Sequence, residues 1–514
     1  MEKPKLIIAG PGGGKTHDLV DEIIRCIALL EPHRTLAAIT YTNAATVSIK
    51  ERLEKKIKLP PNVFIGTTYS FFNAYILLPF ASLFGLVELD KLFVEYDIDG
   101  RAEEITKKKS FPSVAERKQY KNGVAANLIK KLLDKGIVPF EQIATISSKL
   151  IKDKNLRALI GERLQFLFVD EFQDATSNQY AIFDQIRKAK KTIIYAVGDP
   201  EQYISNYTIK RAKPHFTKLP IMAFKAASQV VLQKFNKRSS VAVTMFINNF
   251  NTQIQQESKY SGINSTGIYF IDCTDISSII DKYRELTKEV ESISGFKRFY
   301  LAYRNDEYNE VSEKYNLKLV SNDNLKPHSK LSETLKLICD AVHLPPKKFC
   351  EEYKLSTIEF RTLGIKLLRA SINCEEELVN FLKTELKLRI SGDTNTDTLF
   401  SNLATVKNES VESITTELIS SIHKSKGLEA EAVLVIAKTN KELKKWLETD
   451  RDIRFSDKTD NYRLGFVAFS RAREILCISC LQKLDSTNRT KLSSLKVIFE
   501  PSSNSENQSL LTLF

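Results

Sequence analysis

The chain has 514 residues, and at about 150 residues per domain this length predicts roughly three to four domains. Hydrophobic residues make up 42% of it and charged residues 27%, a composition that supplies packed cores and excludes global disorder. The 76 Lys and Arg exceed the 63 Asp and Glu, so the formal charge is +13, which favours polyanionic partners such as nucleic acid or an acidic membrane surface.

The chain opens with a strand, a glycine-rich loop and a helix. Residues 5–9 are apolar, GPGGGKT follows at 10–16, and apolar residues then recur at helical spacing. The backbone N–H groups of such a loop can cradle phosphates, with Lys15 on the β- and γ-phosphates and Thr16 on Mg²⁺. The alternative is a flexible turn. The predicted nucleotide contacts are Ala9, Gly10, Pro11, Gly12, Gly13, Gly14, Lys15 and Thr16.

Four further apolar segments end in polar residues and predict buried strands of a parallel α/β sheet. They lie at 36–42, 62–68, 166–170 and 192–199. Strand ends of this kind are where α/β proteins bind ligands. Among these strands, the stretch from about 77 to 160 is helical and rich in Lys, which predicts an inserted subdomain.

The sequence DEFQD at 170–174 follows the third of these strands. One carboxylate there can bind Mg²⁺ and its neighbour can take a proton from an attacking water, and we assign these roles to Asp170 and Glu171. The alternative is a solvated acidic helix cap. Hydrolysis of a γ-phosphate also needs cations against the charge of the transition state. Candidates are Arg238, Arg471 and Arg473, although spacing alone does not select among them.

A second group of strands is predicted late in the chain, at 298–303, 432–437, 464–470 and 474–479. These strands imply another α/β sheet. Residues 330–405 are mostly helical in pattern, so each sheet is expected to carry one helical insertion. The composition of 501–509 predicts disorder.

Cysteine usage and the apolar runs bear on the compartment. Seven cysteines at irregular spacing do not make a disulfide framework. Cys477 and Cys480 form a CxxC but alternate with apolar neighbours, which favours a buried strand over a metal or redox site. The first residues lack the apolar run of a signal peptide, and the longest apolar stretch, 71–87, is shorter than the roughly 20 residues that span a bilayer. We therefore expect a cytoplasmic protein.

The order of motifs resembles that of superfamily 1A helicases, the UvrD/Rep/PcrA group, over nearly the whole chain. The matching segments are AGPGGGKT (9–16), ITYTNAATVSIKERL (39–53), GTTYSF (66–71), DEFQD (170–174), GDPEQYIS (198–205), NKRS (236–239), SIHKSKGLEAEAV (421–433) and YRLGFVAFSRAR (462–473). The resemblance implies an α/β fold of two RecA-like P-loop NTPase domains with parallel sheets, each carrying a mainly helical insertion. The implied bounds are 1–76 and 159–228 for the first domain, 77–158 for its insertion, 229–329 and 406–490 for the second domain, 330–405 for its reduced insertion, and 491–514 for a flexible tail.

The resemblance also implies roles for several residues whose spacing alone does not indicate a function. The cofactors would be ATP and Mg²⁺. Gln202 would sense the γ-phosphate, and Arg238 and Arg471 would be the arginine fingers that reach across the cleft between the two domains. Glu429 would lie near the nucleotide ribose, with Gly427 among the nucleotide contacts.

The path of a single strand follows from the same resemblance. Tyr207 falls where the family has a base-stacking aromatic, and the alternative for it is a core aromatic. His423 has a second interpretation as a general base or metal ligand. The residues implied for contact with the strand backbone are Thr42, Asn43, Thr67, Ser70, His423 and Lys424.

The implied activity is ATP-driven 3′-to-5′ travel along single-stranded DNA, with separation of duplex. Partners would be single-stranded and tailed duplex DNA, bound in a salt-sensitive way. A second hypothesis is a nucleic-acid-activated sensor or regulatory partner of a nuclease, because compact UvrD-like proteins occur as the helicase half of phage-defence systems such as Gabija. Retention of Glu171 and of the two arginines favours turnover over mere binding.

The chain also departs from the family pattern. Only eight residues precede Ala9, so the upstream glutamine motif that reads adenine is expected to be missing, and strict preference for ATP is not implied. The insertion at 330–405 is shorter than the accessory domain of large members, which predicts weak strand separation or dependence on a partner. QSLLTLF at 508–514 resembles peptides that bind a sliding clamp, and the alternative is an incidental apolar terminus.

Overall fold

The structure is a computed structural model that resolves the chain into two compact units. One consists of Met1–Val290, Leu301–Arg304 and Ser421–Phe514, the other of Glu291–Tyr300 and Asn305–Ser420. Two large sheets, of six and seven strands, confirm the predicted α/β class with two RecA-like domains. The residues described are 3–80, 98–134, 138–204, 216–263, 267–293, 295–319, 330–342, 346–355, 357–370, 372, 374–384, 396, 399–401, 403, 417–456 and 460–501.

The first sheet contains the strand that leads into the glycine-rich loop. Its strands are β1 (Lys5–Ala9), β2 (Thr35–Thr40), β3 (Val63–Thr67), β4 (Leu164–Val169), β5 (Ile193–Gly198) and β6 (Gln229–Gln233). They are all parallel, in the order β3-β2-β4-β5-β1-β6. The five strands predicted in this part of the chain are confirmed to within two residues at each end, and β6 was not predicted.

Both faces of this sheet are covered, which explains the unbroken apolar runs of its strands. In β2, Leu36 packs with Leu19 and Ile23 on one face, whereas Ile39 belongs to the apolar cluster on the other. The helices are α1 (Lys15–Ile27), α2 (Asn43–Glu54), α3 (Thr68–Phe72), α4 (Leu78–Phe80), α5 (Ile98–Lys107), α6 (Val114–Leu133), α7 (Ile143–Leu150), α8 (Lys154–Arg163), α9 (Ser177–Lys188) and α10 (Pro220–Ala226). Shorter turns are π-helical at Asn73–Leu77 and 3-10 at Phe140–Gln142, Phe172–Asp174, Pro200–Gln202 and Phe216–Lys218.

The remaining strands follow the first sheet in the chain. They are β7 (Phe235–Asn236), β8 (Glu257–Ser258), β9 (Ile268–Asp272), β10 (Arg298–Ala302), β11 (Lys318–Leu319), β12 (Glu417–Ser421), β13 (Ala430–Ala437), β14 (Ala472–Cys480) and β15 (Ile498–Pro501). Strands β7 and β8 form a small parallel pair. In the first unit, β13, β14, β9 and β15 are parallel neighbours in that order, and every residue of β13 is buried. Helices α11 (Val241–Asn248) and α12 (Ile276–Leu286) and a 3-10 turn at Lys288–Val290 belong to the same unit.

The second unit is mainly helical around its own apolar cluster. Phe349, Leu367, Leu378 and Leu382 form part of that cluster. Strands β11 and β12 pair in parallel, with Lys318 beside Leu418. The helical elements are a 3-10 turn at Asn305–Tyr308, α13 (Asn309–Ser312), α14 (Lys330–Ala341), α15 (Pro346–Glu352), α16 (Thr357–Arg369) and α17 (Glu375–Thr384). The last four lie in the stretch 330–405 that the sequence predicted to be helical.

One predicted strand is wrong. Residues 464–470 lie largely in helix α20 (Asn461–Phe469), which follows α18 (Asn440–Trp446) and α19 (Arg451–Ser456). Every residue from Leu464 to Phe469 is buried, so the apolar run has no helical periodicity, and such a run does not distinguish a buried strand from a buried helix.

The C-terminal part differs from the predicted tail as well. Residues Ser486–Ser494 form α21, and β15 pairs in parallel with β9, so part of the tail predicted from 491 is folded. Leu492 is buried and the ring of Phe499 packs on Phe270, contacts that a polar composition concealed. Cys477 and Cys480 are buried in β14, which confirms the predicted buried strand. The QSLLTLF peptide lies outside the described residues.

Two helix glycines allow a matched test of packing. A Cβ at Gly465 would lie 2.2 Å from the backbone O of Trp446, whereas a Cβ at Gly123 on α6 meets nothing within 4 Å. We expect Gly465→Ala to lower the free energy of unfolding by about 1–3 kcal/mol through this clash. Gly123→Ala should raise it by about 0.5–1 kcal/mol, the usual helix preference for Ala. Denaturant unfolding of both variants checks this, and a stabilised Gly465→Ala would contradict it.

Candidate functional site

The glycine-rich loop has the strand, loop and helix order that the sequence predicted. Strand β1 ends at Ala9 and α1 begins at Lys15. Gly12 and Gly14 have φ of 68° and 79°, a region that residues with a Cβ rarely adopt. Gly14 is the N-cap of α1, so the loop leads its backbone N–H groups into a helix N-terminus, a favourable site for phosphate.

Residues 236–238 lie directly on this loop. The backbone N–H of Lys237 donates to the carbonyl of Gly12 at 2.8 Å. A Cβ at position 12 would lie 2.1 Å from Oδ1 of Asn236 and 2.8 Å from Cβ of Arg238. The loop therefore needs glycine at position 12 for close packing as well as for its backbone conformation.

Two carboxylates follow β4, next to the lysine of the loop. Asp170 is 4% exposed, and its Oδ1 accepts the backbone N–H of Glu171 at 2.9 Å. Glu171 has a φ of 49°, which is unusual for a residue with a side chain. Nζ of Lys15 lies 3.9 Å from Oε2 of Glu171. The structure thus brings together the predicted phosphate ligand Lys15, the predicted Mg²⁺ ligand Asp170 and the predicted proton acceptor Glu171.

The two carboxylates have opposite electrostatic surroundings. Burial, followed by the charge of Glu171, raises the pKa of Asp170 above its usual range. Burial acts in the same direction on Glu171, but the positive charges of Lys15 and then Lys426 outweigh it and lower the pKa of Glu171. Glu171 is therefore ionised at neutral pH, as a proton acceptor must be. A cation bound by Asp170 would favour its ionised form too.

The donor set suits Mg²⁺. Asp170 and the hydroxyl of Thr16 are oxygen donors, and a site with one carboxylate suits a Mg²⁺ ion that is held mainly by substrate phosphates and water. Among the described residues, no group of three or more His, Cys, Asp or Glu is arranged to hold a metal, so no all-protein metal cage is formed there.

A chain of hydrogen bonds joins Glu171 to Arg471, which lies in the segment predicted to be the second RecA-like domain. Gln173 donates to Oε2 of Glu171 at 2.5 Å and accepts the backbone N–H of Asp199 at 2.9 Å. Gln202 donates to Oδ2 of Asp199 at 2.7 Å and accepts from Arg471 at 3.2 Å. The predicted γ-phosphate sensor and one predicted arginine finger are therefore in direct contact.

The other arginines differ in their surroundings. Arg238 donates to Oε2 of Glu429 at 3.1 Å and to the carbonyl of Ser470 at 2.7 Å, beside Arg471. Burial, and then the charge of Arg238, lower the pKa of Arg471 to about 9. Arg473 instead pairs with Glu431 at 2.8 Å, and its contacts include the ring of Tyr260. Arg238 and Arg471 thus flank the site, whereas Arg473 is engaged elsewhere.

Three residues of the site were not singled out from the sequence. They are Gln173, Asp199 and Lys426, whose Nζ lies 2.7 and 2.5 Å from the two carboxylate oxygens of Asp174. Each belongs to a segment already recognised as a motif, so the amide, carboxylate and ammonium groups within those motifs were the available signal.

The residues near the N-terminus that were predicted to contact single-stranded DNA lie at the carboxyl ends of β2 and β3, which are neighbours in the sheet. Thr42 and Asn43 are exposed, and Oγ1 of Thr42 accepts the backbone N–H of Ala45 at 3.1 Å as the cap of α2. Thr67 caps α3 by accepting the backbone N–H of Ser70 at 3.2 Å. The hydroxyls of Thr42 and Thr67 therefore cap helix N-termini, in addition to any contact with DNA.

The other residues predicted to contact single-stranded DNA lie after β12. Lys424 is exposed, and His423 is half-buried with its ring centroid 6.0 Å from that of Tyr303. Gly427 is exposed with a φ of 85°. Tyr207 lies outside the described residues.

Comparison with known proteins finds similarity to ATPase and helicase sequences. A family model described as an AAA domain matches residues 1–208. The chain is 24% identical to the Gabija protein GajB of Bacillus cereus (strain VD045) over 532 residues, 96% of each chain. It is also 24% identical to the ATP-dependent DNA helicase Rep of Escherichia coli (strain K12), over 270 residues that cover 46% of this chain and 39% of Rep. These matches support the resemblance of the chain to the UvrD-like superfamily 1 helicases.

Within these helicases the extent of similarity varies. The match to Rep of Buchnera aphidicola subsp. Baizongia pistaciae, also 24% identical, covers 40% of this chain and 34% of Rep, whereas GajB is matched over nearly its full length. The comparisons give no support to a sliding-clamp contact. Across the part of the chain that the structure describes, no helix has the length and apolar character needed to span a membrane.

The half-buried carboxylate of Asp174 provides a test by pH. Burial raises its pKa from 3.8 to about 6 against the opposing effect of Lys426. The folded state then binds this proton more tightly than the unfolded state, so the contribution of Asp174 to the free energy of unfolding falls as pH rises through this range. When the pH is raised from about 4.5 to about 7.5, we expect the melting temperature of Asp174→Asn to rise relative to that of the wild type.

The matched control is Asp281→Asn, on the exposed side of α12. Between the two pH values, the melting temperature of that control should change by the same amount as that of the wild type. An unchanged difference for Asp174→Asn would contradict the raised pKa.

Proposed function

We propose that this protein is an ATP-dependent DNA helicase that moves 3′ to 5′ along single-stranded DNA and separates duplex. The observation that carries the proposal is the hydrogen-bonded chain from Glu171 through Gln202 to Arg471. It links a carboxylate that can accept a proton to a cation from the other RecA-like domain, the combination that γ-phosphate hydrolysis requires.

Each group has one task in this proposal. The loop N–H groups and Lys15 bind the phosphates, while Thr16 and Asp170 hold Mg²⁺, which neutralises charge on the phosphate oxygens when bound. Glu171 accepts a proton from the attacking water. Arg238 and Arg471 stabilise the negative charge of the transition state.

In this proposal, movement along DNA depends on separate DNA contacts in the two domains. The predicted contacts at Thr42, Asn43, Thr67 and Ser70 belong to the first domain, and those at His423 and Lys424 to the second. Alternating grip by the two sets during cleft closure and opening moves the protein along a strand. The net charge of +13 supports such binding, because phosphate contacts dominate affinity for nucleic acid.

Glu171→Gln tests the chemistry and the polarity together. We expect single-stranded DNA to stimulate ATP hydrolysis by the wild type, and Glu171→Gln to lower the rate by about 10²- to 10⁴-fold because the proton acceptor is lost. Strand displacement should occur from 3′-tailed and not from 5′-tailed duplexes.

Glu104→Gln, an exposed change on α5, is the charge-matched control and should behave as wild type. Displacement from the 5′ tail would overturn the polarity. Hydrolysis that only RNA stimulates would overturn the DNA assignment.

A second candidate function rests on the similarity to GajB, which covers 96% of both chains. In this proposal the protein is a nucleic-acid-activated ATPase that regulates a nuclease in phage defence. We expect the tagged protein, purified from its own host, to carry with it a nuclease encoded beside it. Recovery of the protein alone, under conditions that preserve other complexes, would count against this role.

A further inference from the structure

The segment Ile422–Glu429, here the 422–429 loop, makes contacts of different kinds along its length. His423 and Lys424, near its start, are predicted strand contacts. Lys426, in its middle, reaches the DEFQD segment of the other RecA-like domain. Glu429, at its end, accepts a hydrogen bond from Arg238. One short segment thus connects the predicted strand path with the nucleotide site.

Short-range hydrogen bonds give the 422–429 loop a defined shape. Ser425 is fully buried, its backbone N–H donates to the carbonyl of Ser421 at 3.0 Å, and its hydroxyl donates to the carbonyl of Ile422 at 2.9 Å. The backbone N–H of Leu428 donates to the carbonyl of Ser425 at 2.9 Å. These bonds tie the part of the loop that carries His423 and Lys424 to the part that carries Lys426.

The ion pair of Lys426 extends this connection to Glu171. Its Nζ contacts both carboxylate oxygens of Asp174, and the two side chains are 18% and 20% exposed, so water and salt screen the pair less than a surface pair. Asp174 belongs to the 3-10 turn that Glu171 caps, and its backbone N–H donates to the carbonyl of Glu171 at 2.9 Å. Asp174 is therefore tied directly to the backbone of Glu171.

We propose that Lys426 is a positioning residue that couples strand binding to ATP hydrolysis through its ion pair with Asp174. A strand that binds His423 and Lys424 sets the position of the 422–429 loop, and Lys426 passes that position to the turn carrying Glu171. The inference rests on the proposed function, because it requires this loop to bind the strand.

Lys426→Met tests the coupling, because Met retains most of the side-chain length and removes the charge. The readout is the ratio of the ATP hydrolysis rate with single-stranded DNA to the rate without it. We expect this ratio to fall by roughly tenfold, a typical coupling between two sites. Lys426→Arg should restore most of it. Lys438→Met removes an exposed positive charge after β13 and should leave the ratio at the wild-type value.

A double-mutant cycle assigns the effect to the ion pair. Asp174→Asn should lower the ratio as Lys426→Met does, and the double variant should be no worse than either, because both changes break one interaction. Additive losses would overturn the pair as the coupling element. Equal losses of the stimulated and unstimulated rates would place Lys426 in the hydrolysis step itself, and a loss of DNA affinity without nucleotide would make it a strand contact.

The two proposals fail in different ways. A wild-type protein that DNA does not stimulate overturns the proposed function and the coupling with it. A stimulated wild type together with an equally stimulated Lys426→Met overturns the coupling alone. Thermal unfolding of each variant confirms that the loss does not come from misfolding.

Discussion

The guanidinium group of Arg471 is a charge almost excluded from water, and the arrangement of the nucleotide site depends on how that charge is compensated. Arg471 is 2% exposed. An uncompensated buried charge costs several kcal/mol, so its N–H groups need acceptors. Val467, Leu428 and Ser470 provide these from the second domain, and Gln202 provides one from the first. The compensation thus includes a contact between the two segments that the sequence predicted to be separate RecA-like domains.

Two further pairs of opposite charges lie near the nucleotide site. Lys15 faces Glu171, Lys426 faces Asp174, and the pKa of each carboxylate reflects these cations. In the proposed function, the triphosphate of ATP is a polyanion that competes for the same positive groups. Its binding therefore exchanges partners among charges that are already assembled, which needs less rearrangement than gathering them from solvent.

The sequence predicted those parts of the site that depend on local order. Lys15, Asp170 and Glu171 follow buried strands directly, and the ends of parallel strands meet at one edge of a sheet. The partners of these residues were harder to predict. The hydrogen bond from Gln173 to Glu171 depends on backbone angles near Glu171, and the ion pair of Lys426 joins residues 252 positions apart in the chain. No local pattern contains that information.

The fold shows the same division. The five strands predicted in the first sheet were found because continuous β-type apolar runs between glycine and polar residues specify buried strands. Residues 464–470 share that composition but form helix α20, in which Gly465 packs against the backbone of Trp446. The choice between strand and helix was made there by packing against α18, a tertiary contact that the apolar run does not encode.

Asn236 and Gly12 illustrate how such packing links distant positions. Asn236 is fully buried, its Oδ1 accepts the backbone N–H groups of Arg238 and Ser239, and the same oxygen occupies the space of a side chain at position 12. A larger residue at 12 displaces the amide that orients Arg238, and a different residue at 236 removes it. Neither position therefore tolerates a change alone, so the glycine-rich loop and the arginine segment next to it form a single packing unit.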